Sequence, residues 1–195
     1  MSSSSITRKV DAILKPLGFQ KRGAIWNRLS DSVIDVIDIQ TSKSGDTYTL
    51  NVGVLDREVH EVFWGEAVAE TVEPPMCTVS ARVGDLMYGT DKWWKTDTSE
   101  SEQDSITKAV AAAISFLDRT HTRPQMTRLL TDTDVTQKRY PPPIINLALL
   151  SALEGKVAEA NAMLDELQDK LSGPWLERIK QVRERLSLPL PGKAR

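Results

Sequence analysis

The stretch TYTLNVGVL at residues 47–55 alternates apolar and polar residues along its length. The apolar positions are Tyr48, Leu50, Val52 and Val54, and the residues between them are Thr49, Asn51 and Gly53. A period of two places successive side chains on opposite faces of a β-strand. The stretch therefore predicts a half-buried strand whose one face lies against a core while the other is polar.

Strand-like runs continue on both sides of this stretch. Residues 19–29 and 33–43 precede it, and the second of these runs is rich in Val and Ile. The connections between the three runs are short and contain Ser, Asp and Gly, which are typical of tight turns. Residues 76–83 predict a fourth strand and residues 92–97 a fifth. These spacings indicate an antiparallel meander.

Helical periodicity marks both ends of the chain. Residues 5–17 place an apolar side chain every three or four positions, which predicts an amphipathic helix. Residues 57–72 fit a short helix, and a further helix begins at Ser99. The remaining helices are predicted near Pro124 and over residues 144–153, 157–171 and 175–186.

The predicted fold is α+β: an N-terminal helix, a four- to five-stranded antiparallel sheet meander, and C-terminal helical hairpins. At least one helix is expected to pack on the apolar face of residues 47–55. We predict an α+β domain over residues 5–120 and a helical extension, packed on it, over residues 121–187. Residues 1–4 and 188–195 are predicted to be flexible ends, because they are rich in Ser or in Pro, Gly and basic residues.

Composition narrows the classes of function. Of 195 residues, 40% are hydrophobic, which is enough for a core. The single cysteine, Cys77, excludes an internal disulfide and favours a reducing cytoplasm. No secretory leader and no apolar run of membrane-spanning length is visible. Residues 31–118 carry six basic and seventeen acidic residues. We therefore expect no nucleic-acid partner, because phosphates would be repelled.

Motifs of known chemistry are lacking in the sequence. His60 and His121 are too far apart for a zinc-ligand pattern. Cys77 has no neighbouring base and is expected to be a small buried hydrophobic residue. The glycines match neither a phosphate-binding loop nor a dinucleotide fingerprint. We predict no catalytic residue, no metal ligand and no cofactor.

The polar face of the sheet is the main candidate site. If the strand registers align, one face carries Trp26, Arg28, Asp38, Gln40, Asn51 and Arg82. Such a surface can bind a ligand or a protein edge. The alternative is a solvated face with cross-strand charge pairs, such as Asp38 with Arg28 or Arg82.

The adjacent pair Trp93 and Trp94 is the second candidate. Neighbouring residues of a strand point to opposite faces, so one ring is expected in the core and the other on the surface beside Arg82. The alternative is that both rings pack between the sheet and its helices.

Five short motifs and the single cysteine carry a resemblance to a known family. They are LKPLGF at 14–19 with Lys21 and Arg28, QTSK at 40–43, NVGV at 51–54, Cys77, RVGDL at 82–86 and DKWW at 91–94. Over about residues 5–120 the chain resembles a bacterial family catalogued only as a domain of unknown function. The resemblance implies a bacterial cytosolic protein. It implies no established activity, so no catalytic residue is carried over.

Three functions stay open from the sequence. The first is a non-catalytic binding module for another protein, with an immunity-like role that neutralises the partner. The second is a small-molecule binder or an enzyme that uses the polar sheet face. The third is self-association, in which the edge that carries the tryptophans forms a homodimer. No membrane partner is expected.

Overall fold

The structure, a computed structural model, describes residues 3–96, 100–133 and 140–186. Its internal contacts divide the chain into two units, each formed by two segments. Unit 1 contains Met1–Leu55 and Ala69–His121, and unit 2 contains Asp56–Val68 and Thr122–Arg195. The chain thus leaves the first unit after residue 55, returns at residue 69, and leaves it again after residue 121.

Eight helices and six strands occupy the described residues. The helices are α1 Ser3–Leu14, α2 Arg57–Trp64, α3 Val83–Tyr88, α4 Glu100–Asp118, α5 Arg123–Asp132, α6 Pro141–Leu153, α7 Val157–Asp169 and α8 Pro174–Arg185. The strands are β1 Gln20–Arg22, β2 Ile25–Leu29, β3 Val33–Thr41, β4 Thr47–Asp56, β5 Val79–Arg82 and β6 Trp94–Lys95. Two 3-10 turns are added at Lys15–Leu17 and Pro74–Met76.

The sheet of unit 1 confirms the predicted fold class. Its strands follow the chain order β1-β2-β3-β4-β5, and β6 pairs with the start of β4. Six strands form instead of four or five because the run 19–29 is a hairpin. Gly23 turns the chain there with a φ of 64°, which a residue with a side chain rarely adopts. Lys21 consequently lies opposite Trp26.

One face of this sheet is apolar and buried. Tyr48, Leu50, Val52 and Val54 are at most 1% exposed, as their alternation predicts. Helix α4 contacts α1, α3 and β6, and Trp26 of β2 donates a hydrogen bond to Asp11 of α1. Helices α1 and α4 thus contact the strands β2 and β6 of this sheet.

The helix predicted over residues 57–72 and the strand predicted over residues 76–83 are both shorter in the structure. Helix α2 ends at Trp64 because Gly65 takes a left-handed φ of 77° and its N–H caps the last turn. The predicted strand 76–83 is shortened to β5. A 3-10 turn at Pro74–Met76 delays its start, and the short helix α3 begins at Val83.

Unit 2 consists of helices. Helix α6 pairs with α7, and their connection includes Gly155 with a φ of 84°. Helix α2 packs on α6 and α8. Arg178 and Arg185 of α8 donate hydrogen bonds to carbonyl groups in the last turn of α2. These bonds satisfy carbonyls that a helix end leaves without a partner.

Some predictions lie outside the described residues or are not tested. The predicted flexible end at residues 188–195 lies outside them, as do residues 1–2, whereas Ser3 and Ser4 begin α1. Asp97 and Ser99 also lie outside. The packing of residues 121–187 on the domain stays a prediction. Within the described ranges, no helix combines the length and the apolar character that a membrane crossing requires.

Candidate binding surface on the sheet

The strand register separates the predicted site residues into two groups. Trp26 lies opposite Ile37, and Arg28 lies opposite Asp35. Directly opposed residues share a face, and the next residue along a strand points to the other one. Asp38 therefore faces away from Trp26. The prediction of a single face was wrong for Trp26 and Arg28, because a register offset of one residue exchanges the two faces.

Trp26 and Arg28 instead hold unit 1 together. The Trp26 ring is 0% exposed, and its Nε1–H donates to Asp11 Oδ1 at 2.9 Å. Arg28 Nε lies 2.8 Å from Oδ2 of Asp35, a carboxylate that is only 1% exposed. The same guanidinium lies over the Phe19 ring, 4.8 Å from its centroid. Neither side chain belongs to the polar face.

One of the two adjacent tryptophans lies in the core and the other at the surface, which is the first of the two alternatives given by the sequence. Trp94 is 3% exposed and stacks on Tyr48 with ring centroids 5.9 Å apart. Trp93 is partly exposed. Trp94 thus belongs to the core, whereas Trp93 is available at the surface.

The remaining residues form a connected group, which we call the Arg82 cluster: Gln40, Asn51, Arg82, Asp91 and Trp93. Arg82 lies directly opposite Asn51 in the β4–β5 pair. Its Nη1 donates to both carboxylate oxygens of Asp91, at 2.8 and 2.9 Å. Gln40 Oε1 lies 3.4 Å from Arg82 Nη2 and 3.4 Å from Asn51 Nδ2. The cluster thus joins three strands and the loop before β6.

Arg82 is fixed from two sides. Its guanidinium carbon lies 5.5 Å from the centroid of the Trp93 ring, within the range of a cation–π contact. Trp93 Nε1 in turn donates to Asp91 Oδ2 at 3.3 Å. The hydrogen bond from Arg82 lowers the pKa of Asp91 below its ordinary value. The carboxylate is therefore ionised at neutral pH and orients both the arginine and the indole.

Asp91 is the member of the cluster that sequence reasoning missed. It is separated from Arg82 by helix α3, and its approach depends on Gly84. A Cβ atom on Gly84 would lie 2.5 Å from the backbone nitrogen of Lys92, so only glycine permits this packing. The glycine in RVGDL and the aspartate in DKWW are the signals from which the contact could be inferred.

Asp38 lies beside the cluster and is electrostatically unusual. Burial raises the pKa of its carboxyl group, and the charge of Glu73 raises it further. A hydrogen bond with Asn51 and the charge of Arg82 act in the opposite direction. Asp38 Oδ1 is buried and has no hydrogen-bond partner among the described residues. Holding an ionised carboxylate at this position costs free energy.

Substituting Asp38 with asparagine is expected to stabilise the protein by about 1 kcal/mol at pH 7. The ordinary pKa of this carboxyl group is 3.8, and its pKa in the folded protein is higher. The free energy of unfolding therefore falls as the pH rises from the ordinary pKa through the folded pKa. Urea denaturation of wild type and Asp38→Asn from pH 3 to pH 8 (about five points) measures the difference. The gain should vanish below the ordinary pKa. A gain that is independent of pH contradicts this account.

The other chemically reactive residues lie elsewhere. Burial raises the pKa of the Cys77 thiol, which disfavours the nucleophilic thiolate. Burial lowers the pKa of His60, and His121 Nδ1 lies 3.4 Å from Asp35 Oδ1. In the part of the chain that the structure describes, no group of three or more His, Cys, Asp or Glu side chains is arranged to hold a metal ion.

Comparison with known proteins places the chain in a family. No curated protein and no solved structure shows significant similarity to it. The model of one family, described as "Domain of unknown function (DUF4304)", matches residues 10–122, which is more than half of the chain. The match includes every member of the Arg82 cluster. The chain therefore belongs to the DUF4304 family of domains of unknown function.

Proposed function

We propose that this protein is a non-catalytic module that binds a partner protein through the Arg82 cluster. The observation that carries the proposal is the partly exposed Trp93 ring, which is held against a guanidinium that Asp91 fixes in place. Tryptophan and arginine dominate the residues that contribute most to protein interfaces. We further propose a bacterial cytoplasmic protein with an immunity-like role, in which binding neutralises the partner.

Preorganisation supports this proposal. A free arginine loses side-chain entropy when a partner immobilises it, and this loss weakens binding. Arg82 is already immobilised by Asp91 and Gln40. Polar groups of Gln40 and Asn51 beside the ring provide donors and acceptors to a partner. Helix α3, which follows Arg82 in the chain, also exposes Leu86 at 38% and Tyr88 at 53%.

Charge indicates which partner surface would fit. Residues 31–118 carry seventeen acidic and six basic residues, and this segment contains all of the Arg82 cluster. A partner with a basic surface would be attracted to this part of the chain, and the association rate would fall as salt rises. The proposal therefore includes a measurable salt dependence.

The alternative is a small-molecule binder or an enzyme that uses the same face. Asp38 favours this alternative because a partly buried carboxyl group with a raised pKa and an unpaired oxygen is common at ligand sites. A cationic ligand would compensate the charge of Asp38.

Affinity capture of the full chain from bacterial lysate distinguishes the two functions. We expect one protein to be retained at about 0.05 M salt and released at about 0.5 M, because screening shortens the range of charge attraction. Native mass spectrometry of the captured sample is the parallel readout. A bound small molecule without a protein partner would support the alternative. Capture of only a second copy of the chain would support the homodimer.

A further inference from the structure

A buried histidine that has no part in the proposed function lies in unit 2. His60 belongs to α2 and is 3% exposed. Neither Nδ1 nor Nε2 of its ring has a hydrogen-bond partner among the described residues. A buried polar group without a partner costs free energy, and the cost is much larger when the group carries a charge. The surroundings of His60 therefore accept the neutral imidazole more readily than the protonated one.

Helix α6 offers no group that could pair with a protonated His60. The neighbours of His60 on the buried side of α2 are Val59 and Phe63, and α2 packs on α6 and α8. Helix α6 is rich in Ile, Leu and Ala and contains no ionisable side chain. A proton on the imidazole would thus place a positive charge beside an apolar helix.

Helix α8 contacts α2 through positive side chains. Arg178 and Arg185 donate hydrogen bonds to the carbonyl oxygens of residues 62–64, in the last turn of α2. The carbonyl end of a helix attracts a positive charge, but these two guanidinium groups already occupy it. A proton on His60 would add a third positive charge within about one helical turn of that end.

The acidic groups that act on His60 are Glu61 and Glu66, which are both exposed. Burial lowers the pKa of His60 below its ordinary value of 6.5, and the charges of Glu66 and Glu61 offset this effect only in part. A state in which His60 meets water consequently binds a proton more tightly than the folded state does. The stability that neutral His60 contributes is therefore complete above pH 6.5 and decreases as the pH falls below it.

We propose that His60 is an acid-sensitive switch that releases helix α2 from α6 and α8 within unit 2. Below about pH 6 the imidazole takes up a proton. Because it can hold that proton only in contact with water, α2 separates from the two helices. The opening exposes Val59 and Phe63 as an apolar surface that the closed form hides. The proposal concerns unit 2 alone and does not depend on the Arg82 cluster.

Amide hydrogen exchange in the full chain, followed in nitrogen-15 spectra, tests the proposal. Protection factors, which divide out the intrinsic pH dependence of exchange, are compared at about pH 7.5 and about pH 5. We expect the amides of residues 61–65, which are bonded within α2, to lose about fivefold or more of their protection at the lower pH. The amides of α7, in the same unit, should keep theirs.

Direct titration of the wild-type imidazole makes the test independent of any substitution. The Cε1–H signal of His60 should titrate with a midpoint below 6.5. His60→Leu cannot take up a proton and should show equal protection of α2 at both pH values. His121→Gln, at the other histidine of the chain, should respond as wild type does. Unchanged protection of α2 at the lower pH, a loss that persists in His60→Leu, or a midpoint at or above 6.5 overturns the proposal.

Discussion

Substituting Asp56 with alanine is expected to lower the free energy of unfolding by about 3 kcal/mol. Asp56 is 2% exposed and has two roles in unit 2. Its Oδ1 accepts a hydrogen bond from the N–H of Val59, at 3.0 Å, and so caps α2. The same carboxylate accepts two hydrogen bonds from Arg123, at 2.7 and 3.1 Å. Alanine removes both interactions and leaves the Arg123 guanidinium without its buried partner.

Two variants separate these roles in urea denaturation. Asp56→Asn keeps a side chain that can cap the helix, but it removes the charge, so we expect roughly half of the loss. Glu58→Gln removes only the ion pair between Arg123 and the exposed Glu58. It should lower the free energy of unfolding by less than about 1 kcal/mol. If Asp56→Ala is no more destabilising than Glu58→Gln, the buried pair does not stabilise unit 2.

Substituting Trp26 with alanine is expected to destabilise the protein by about 4 kcal/mol, in the range measured for large buried aromatic residues. The ring is 0% exposed and donates a hydrogen bond to Asp11, so alanine leaves both a cavity and an unpaired acceptor. The equivalent change at Trp93, which is partly exposed, should cost less than about 1 kcal/mol. Thermal and urea unfolding of the two variants give the comparison.

Trp26→Phe is the control for the packing contribution. It keeps most of the ring volume and removes the Nε1–H, so its loss should be close to that of one hydrogen bond, about 1 kcal/mol. If Trp93→Ala destabilises the protein as much as Trp26→Ala, then Trp93 belongs to the core. The Arg82 cluster would in that case lack the exposed aromatic ring on which the proposed function depends.

Local periodicity explains what was predictable from the sequence. The alternation at residues 47–55 depends only on neighbours along the chain, so it correctly gave strand β4 and its buried apolar face. The prediction that the strand is half-buried was wrong, because Thr49 on the other face is also 0% exposed. The same alternation placed Asn51 on the polar face, where it does lie opposite Arg82. The same rule predicted one buried and one exposed ring for the two neighbouring tryptophans. Trp94 is 3% exposed, and Trp93, which lies just before β6, is partly exposed.

Non-local register explains what was not predictable. Trp26 and Arg28 were assigned to the polar face, but the position of Gly23 in the β1–β2 hairpin and the pairing of Trp26 with Ile37 place them on the other one. Periodicity within one strand cannot reveal the offset between two strands. The contact between Arg82 and Asp91 likewise depends on close packing at Gly84, which is visible only in three dimensions.

Capture of the partner by a cluster variant tests the central claim most directly. Arg82→Ala with Trp93→Ala is compared with wild type and with a control that changes an exposed arginine and an exposed aromatic residue elsewhere, Arg8→Ala with Tyr140→Ala. Loss of two interface hot-spot residues costs about 2 kcal/mol or more. We therefore predict that the cluster variant binds the partner about thirtyfold more weakly, or weaker still, than wild type does. The control variant should bind with the affinity of wild type. Equal association of the two variants would contradict the assignment of the Arg82 cluster as the binding surface.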